Sequence, residues 1–103
     1  MRADTFALNV PATATTGTAT GVVDYFDKWV QFNGIAGGAK FNVEGTIDGS
    51  HWVASALAGS GPDVTADGVY EVPEAFVSVR LNRTVAGTGT PTSVLIGRNG
   101  RLT

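Results

Sequence analysis

Two carboxylates and the single histidine of the chain lie close together in the segment VEGTIDGSHW, residues 43–52. A site here would use Glu44 and Asp48 as general acid and base, or as metal ligands with His51. On one strand, however, the two carboxylates stand about 13 Å apart, which exceeds the separation that inverting glycosidases use. A metal site needs at least three converging ligands. We therefore predict no catalytic residue and no metal in this segment.

The same segment has the pattern of a β-hairpin. Asp48-Gly49 separates two alternating runs, and Asp-Gly favours a hairpin because both central residues of a type I′ turn need positive φ. A slightly longer loop that ends in a bulge fits the sequence as well. Trp52 would lie on the returning strand, within cross-strand reach of Glu44 or Ile47. We predict that the segment has a structural role as a hairpin and is not a functional site.

Two other acidic groups have the composition of cation sites without their spacing. Asp24 and Asp27 in DYFDKW are predicted to cap the backbone of a surface turn. Asp63 and Asp67 in GSGPDVTADG do not meet the calcium-loop pattern D-x-[DN]-x-[DN]-G. AGTGTP lacks the spacing of a phosphate-binding loop, and no G-x-S-x-G elbow occurs. We predict that the protein is not an enzyme and uses no cofactor.

Composition excludes several further classes of function. The chain has 103 residues, no cysteine and a net charge of −2, which predicts one domain without disulfides or thiolate metal sites. It lacks a run of basic residues of the kind that binds along a phosphate backbone, so we predict no nucleic-acid binding. No apolar run approaches the roughly 18 residues of a membrane span, so we predict no membrane insertion. Only 16% of the residues are charged, as expected of a surface that a partner partly covers.

Short β-prone runs separated by turn residues predict an all-β fold. Alternation places Val30 and Phe32 on one face of their strand and Trp29 on the other. The runs TFALNV, KWVQFNGI, AKFNVEGTID, HWVASAL, GVYEV, AFVSVRLNRT and TSVLIGR make about seven strands, spaced as in an antiparallel β-sandwich or jelly roll. Residues 1–21 are predicted to form an N-terminal arm with a Thr/Ala/Gly-rich connector, either flexible or able to add a strand to a neighbour. Residues 22–103 are predicted to form the sandwich domain.

Aromatic residues supply the remaining candidates. Trp29, Trp52, Tyr25 and Tyr70 would either form a stacking platform for a sugar or anchor a core or a protomer interface. We predict that contact residues come from the arm, from aromatic positions and from an outward arginine. The candidate interface residues are Phe6, Leu8, Tyr25, Trp29 and Arg80.

A longer pattern resembles a phrase found in small proteins encoded among the virion genes of tailed bacteriophages. It consists of a V-E-G-S-x-D-G-x-x-W hairpin, a Tyr-Val-Pro turn into an arginine-bearing strand, a Gly/Thr-rich turn and a final apolar strand. The resemblance covers roughly residues 28–99. The matching residues are Val43-Glu44-Gly45, Asp48-Gly49, Trp52, Tyr70, Val72-Pro73, Val79-Arg80, residues 87–91 and Leu95-Ile96.

The resemblance implies a virion structural protein, chiefly a capsid decoration (cement) protein without catalytic residues. Such a protein is made in the host cytoplasm and then binds the major capsid protein on the capsid surface as a symmetric homo-oligomer, with a trimer favoured. Two alternatives stay open at this point. One is a tail or head–tail accessory protein, and the other is a carbohydrate-binding β-sandwich module, since the DG-x-x-W hairpin is similar to those of discoidin-type modules.

Overall fold

The secondary structure of the described part of the chain consists of strands. The computed structural model describes residues 2–58 and 60–99, and these two segments contain no helix. No helix long and apolar enough to cross a membrane is therefore found among them. The strands of the described segments are β1 (Ala3–Leu8), β2 (Thr20–Gly21), β3 (Asp27–Asn33), β4 (Lys40–Thr46), β5 (Val53–Ala54), β6 (Gly68–Glu71), β7 (Ser78–Val85) and β8 (Thr92–Arg98).

The strands form two four-stranded antiparallel sheets, in the orders β1-β8-β3-β6 and β2-β7-β4-β5. Four pairs, β1–β8, β2–β7, β3–β6 and β4–β5, join the first half of the chain to the second half in reverse order. The long hairpin made in this way is then rolled so that β3 also pairs with β8 and β4 with β7. This is the double Greek key of a jelly roll, which confirms the predicted all-β sandwich.

Alternation along the strands fills the space between the sheets. Val30 and Phe32 are fully buried, as predicted, while Trp29 lies on the outer face of β3. Ile47, the residue after β4, is 73% exposed because the strand ends at Thr46 and the chain turns away there. The buried apolar cluster consists of Leu8, Val22, Val30, Phe32, Ala39, Phe41, Val43, Leu57, Val64, Val72, Phe76, Val79, Leu81 and Leu95.

The predicted N-terminal arm supplies an edge strand to each sheet of its own chain. β1 pairs with β8 along its whole length, from Ala3 opposite Arg98 to Leu8 opposite Ser93. The Thr/Ala-rich connector then follows β7, where the Leu81 carbonyl accepts a hydrogen bond from the Gly17 N–H at 2.8 Å. β2 continues along the same strand. The sequence does not reveal β2, because a strand of two residues is too short to show the alternation of apolar and polar side chains.

Candidate functional site

The loop at residues 47–52, between β4 and β5, contains the predicted hairpin turn in its longer form. Gly49 has φ +83°, whereas Asp48 does not adopt positive φ, so the turn is not type I′. Instead, Oδ1 of Asp48 accepts hydrogen bonds from the backbone N–H groups of Ser50 and His51, both at 2.8 Å. A side chain that satisfies its own loop in this way is typical of Asx turns.

The three residues that could have made an active site do not converge. Nδ1 of His51 lies 2.7 Å from Oδ2 of Asp48, but the two side chains are 87% and 56% exposed. Hydrogen bonds from the backbone of His51 and Ser50 hold the pKa of Asp48 well below its usual value. Glu44 is engaged elsewhere, by Arg80 on the neighbouring strand. Within residues 2–58 and 60–99, no group of three or more His, Cys, Asp or Glu side chains is placed to hold a metal ion.

Asp48→Ala is expected to lower the melting temperature at neutral pH, because it removes the acceptor that orders the loop. The folded-state pKa of Asp48 lies below the usual 3.8, so the stabilisation is present above that value and is lost as pH falls through the folded-state pKa. Thermal melts followed by circular dichroism should therefore show the difference from wild type shrinking between about pH 7 and about pH 2. Substitution of the exposed Asp24 by Ala is the control, and a difference that is the same at both pH values would contradict the prediction.

The outer face of the β2-β7-β4-β5 sheet is a polar network that pairs its own charges. Oε1 of Glu44 accepts a hydrogen bond from Nε of Arg80 at 2.9 Å, and Oε2 accepts one from Nδ2 of Asn82 at 3.0 Å. The guanidinium carbon of Arg80 lies 4.2 Å from the centroid of the Trp52 ring. The predicted interface residue Arg80 is thus neutralised and covered within its own chain.

The outer face of the β1-β8-β3-β6 sheet has the opposite character. At its centre lies a shallow depression of about 190 Å³. We call the residues that line this depression the apolar face. Of its residues, Val69, Val94 and Ile96 are 58%, 40% and 38% exposed. The apolar face consists of Thr5, Trp29, Gln31, Val69, Val94 and Ile96.

Strand register explains why these side chains meet. Ile96 of β8 is the partner of Thr5 on β1 and of Trp29 on β3, so the three form one row across the sheet. In the next row, Val94 is the partner of Ala7 on β1 and of Gln31 on β3, and Val69 follows on β6. Side chains of paired residues in adjacent antiparallel strands lie on the same face, at about 5 Å spacing. The result is a largely apolar surface that spans the sheet, with Gln31 between Val94 and Val69.

Charged groups border the apolar face without entering it. The row beyond Ile96 pairs Arg98 with Asp27, whose side chains form an ion pair. Glu71 of the edge strand β6 lies opposite Trp29. An apolar centre with a polar margin is the anatomy of protein–protein interfaces, and a contiguous exposed apolar patch commonly marks one.

The other predicted interface residues on β1 and near it are used inside the fold. Leu8 is 6% exposed and belongs to the core. Phe6 is half-buried and packs edge-on against the ring of Tyr25, with centroids 5.6 Å apart. The hydroxyl of Tyr25 donates a hydrogen bond to Oδ2 of Asp4 at 2.5 Å, and Nε of Arg2 donates to the same oxygen at 3.0 Å. Among the five candidates, Trp29 is the one that lies in the apolar face.

The four aromatic residues considered for sugar stacking do not share a surface. Trp29 lies on the outer face of one sheet, and Trp52 stacks on Arg80 at the outer face of the other. Tyr70 packs edge-on against Phe32 and donates its hydroxyl to a backbone carbonyl. A coplanar platform, which a carbohydrate-binding module of this kind requires, is not formed by these residues.

The apolar residues on β8 were not among the sequence candidates, although a pattern indicates them. In TSVLIGR the alternation breaks down at Val94-Leu95-Ile96, where successive residues of both parities are apolar. A strand that is apolar on both faces is typical of one covered on both sides. In this protein Leu95 faces the core, and its two neighbours face outward.

Comparisons with known proteins support the fold. A scan against protein-family models found no match, and a search of curated proteins found none either. Among solved structures, the crystal structure of SPBc2 prophage-derived protein YomS is similar, with a TM-score of 0.68 at 14% sequence identity. The alignment covers 93% of this chain and 92% of that chain. At this identity the similarity establishes a shared fold along nearly the whole length.

Proposed function

We propose that this protein is a structural protein of a bacteriophage virion, specifically a capsid decoration protein. It binds the outer surface of the major capsid protein lattice as a symmetric oligomer, a trimer, and stabilises the shell. The apolar face carries the proposal, because a surface of this composition is stabilised by a protein partner that removes it from water. The fold shared with a prophage-derived protein and the resemblance of residues 28–99 to virion proteins support a phage role.

The mechanism is passive: burial of surface area at the contact stabilises the shell, and no chemical reaction is involved. A pleated sheet face packs well against another flat surface, as the sheets of a sandwich do at about 10 Å. Each Å² of apolar surface removed from water contributes about 25 cal/mol before the costs of association are subtracted. Copies at every lattice position repeat this contribution, so a small contact per copy stabilises the whole shell.

Charge favours the outer side of the shell over the inner one. The net charge is −2, and packaged DNA repels a negatively charged protein that carries no basic patch. On the apolar face, the ion pair of Asp27 with Arg98 at one margin supplies charged groups that can fix the orientation of a partner. The net charge supports a site on the exterior of the capsid.

Electron microscopy of the virion tests the assignment directly. The expected result is density for this chain on the outer shell, at positions of threefold symmetry. A shell without such density would remove the decoration role. Sixfold rings along the tail would assign the protein to the tail instead, and the mass of the purified oligomer separates the two symmetries independently.

Val94→Lys is expected to weaken binding to purified shells by about tenfold or more, because it places a charge in the centre of the apolar face. The side chain is already 40% exposed, so the melting temperature of the free protein should change little. Co-sedimentation with shells measures the binding. Thr84→Lys adds the same charge at an exposed position of β7, outside the apolar face, and should bind as wild type. Equal binding by both variants would show that the apolar face is not the contact.

A further inference from the structure

Lys28 lies between the two sheets. It is 1% exposed and follows the inward parity of β3, together with Val30. Its partner on β8 is Gly97, and the Tyr25 ring fills the space above that glycine, where an added Cβ would lie 2.6 Å from Cγ of the tyrosine. The turn that contains Tyr25 thus covers the sandwich next to Lys28. The aliphatic part of the Lys28 side chain is packed inside the sandwich.

The ammonium group of Lys28 has no bonded counter-charge. Among the described residues, it makes no hydrogen bond and no ion pair within 4.0 Å. The two carboxylates that attract it from farther away are engaged elsewhere: Glu74 accepts a hydrogen bond from Oγ of Ser55 at 2.6 Å, and Asp27 pairs with Arg98. Burial accordingly lowers the pKa of Lys28. A buried charge in this condition is costly unless a partner reaches it.

A cavity of about 190 Å³ lies against Lys28. At about 30 Å³ for each water in the liquid, it has room for about six non-hydrogen atoms. Val23 and Phe26 are 68% and 67% exposed, so the cavity opens to solvent through an apolar rim. Besides Lys28, the residues that line it are Val23, Tyr25, Phe26, Pro73, Ala75, Phe76 and Val77.

We propose that this cavity binds a small aliphatic monocarboxylate, with the carboxylate paired to the Lys28 ammonium and the hydrocarbon tail against the apolar wall. A carboxylate supplies the charge-assisted hydrogen bonds that the ammonium lacks. An apolar wall does not replace the water of a strongly hydrated inorganic anion, but it does bury a hydrocarbon tail with a favourable change in free energy. The site is separate from the apolar face, and the proposal does not depend on the role in the capsid.

Butanoate is the probe, and butanamide, which has nearly the same shape without the charge, is its control. In protein labelled with ¹³C at lysine Cε, butanoate is expected to shift the Lys28 signal saturably, whereas butanamide binds at least about tenfold more weakly. Butanoate should also raise the melting temperature of the wild type, since a ligand that binds the folded state stabilises it. Phosphate at the same concentration should do neither.

Two variants separate the contributions of the site. Lys28→Met keeps the apolar volume and removes the charge, so the rise in melting temperature with butanoate should be lost. Val23→Asp leaves Lys28 in place and adds a negative charge at the rim, which should weaken butanoate binding about tenfold and leave butanamide unaffected. Equal affinity for butanoate and butanamide would show an apolar cavity without an anion site. No saturable shift, or wild-type affinity in both variants, would overturn the proposal.

Discussion

Arg83→Met is expected to lower the free energy of unfolding by about 3 kcal/mol. Arg83 faces inward from β7 and is 4% exposed. Its Nε donates to the Ala86 carbonyl at 2.8 Å, its Nη1 donates to the Pro11 carbonyl at 2.9 Å, and its guanidinium lies over the ring of Phe41. Methionine would fill part of the volume but leave two carbonyls without their donor, one of them buried. The substitution also removes a tie between the N-terminal connector and the sandwich.

Lys28→Met is the matched comparison, because it replaces a second inward cation of the described residues with methionine. The ammonium group of Lys28 makes no hydrogen bond or ion pair in the described part of the chain, and burial lowers its pKa. Removing an unpaired buried charge should therefore leave stability unchanged or raise it by about 1 kcal/mol. Urea unfolding measures both variants. Losses of equal size would show that the two cations have equivalent surroundings, contrary to the structure.

Gly45→Ala is expected to destabilise the fold by about 3 kcal/mol through overpacking. Gly45 faces inward from β4, and the ring of Phe76 lies directly against it. An added Cβ would stand 2.0 Å from Cδ2 and 2.1 Å from Cγ of that ring. These ring atoms are near the backbone of Phe76, so a rotation of the side chain does not relieve the contact easily. Gly21→Ala, where nothing lies within 4 Å of the added atom, should be close to neutral.

A double-mutant cycle tests the cause of this effect. Phe76→Ala alone should cost about 4 kcal/mol, because it leaves a cavity where the ring was. With the ring absent, the methyl group of Gly45→Ala has room, so the double variant should be no less stable than Phe76→Ala alone. The coupling energy should then be nearly the whole cost of Gly45→Ala. Additive losses would place the strain in the backbone of β4 instead.

Strand parity could be predicted from the sequence, but the partner of each strand could not. The alternation at Val30 and Phe32 fixes which side of β3 faces the core, because a pleat sends neighbouring side chains to opposite faces. The same parity turns Lys28 inward, although lysine is almost never fully buried. The apolar face depends on β8 lying between β1 and β3, a pairing between the ends of the chain that no local pattern encodes.

The form of the turn and the pairing of Arg80 both have local physical causes. Asp-Gly favours a type I′ turn, but the Asp48 carboxylate competes by bonding two backbone N–H groups of its own loop. Arg80 was predicted to face outward and does so, yet its pairing with Glu44 depends on the register of β4 against β7. The alternation along a strand therefore identifies which side chains face outward. The register between strands decides which of those side chains pair within the chain and which stay available to bind another protein.

The order in which the strands pair also governs when this chain can fold during synthesis. β1 pairs with β8 alone, so Ala3–Leu8 stays without a partner until Thr92–Arg98 has left the ribosome. The hairpin of β4 and β5 can close early, and the pairs outside it must wait in turn for strands made later. Such long sequence separations make folding slow and expose unpaired edges to aggregation. We therefore expect a nascent fragment that lacks β8 to aggregate more readily than a chain that contains it.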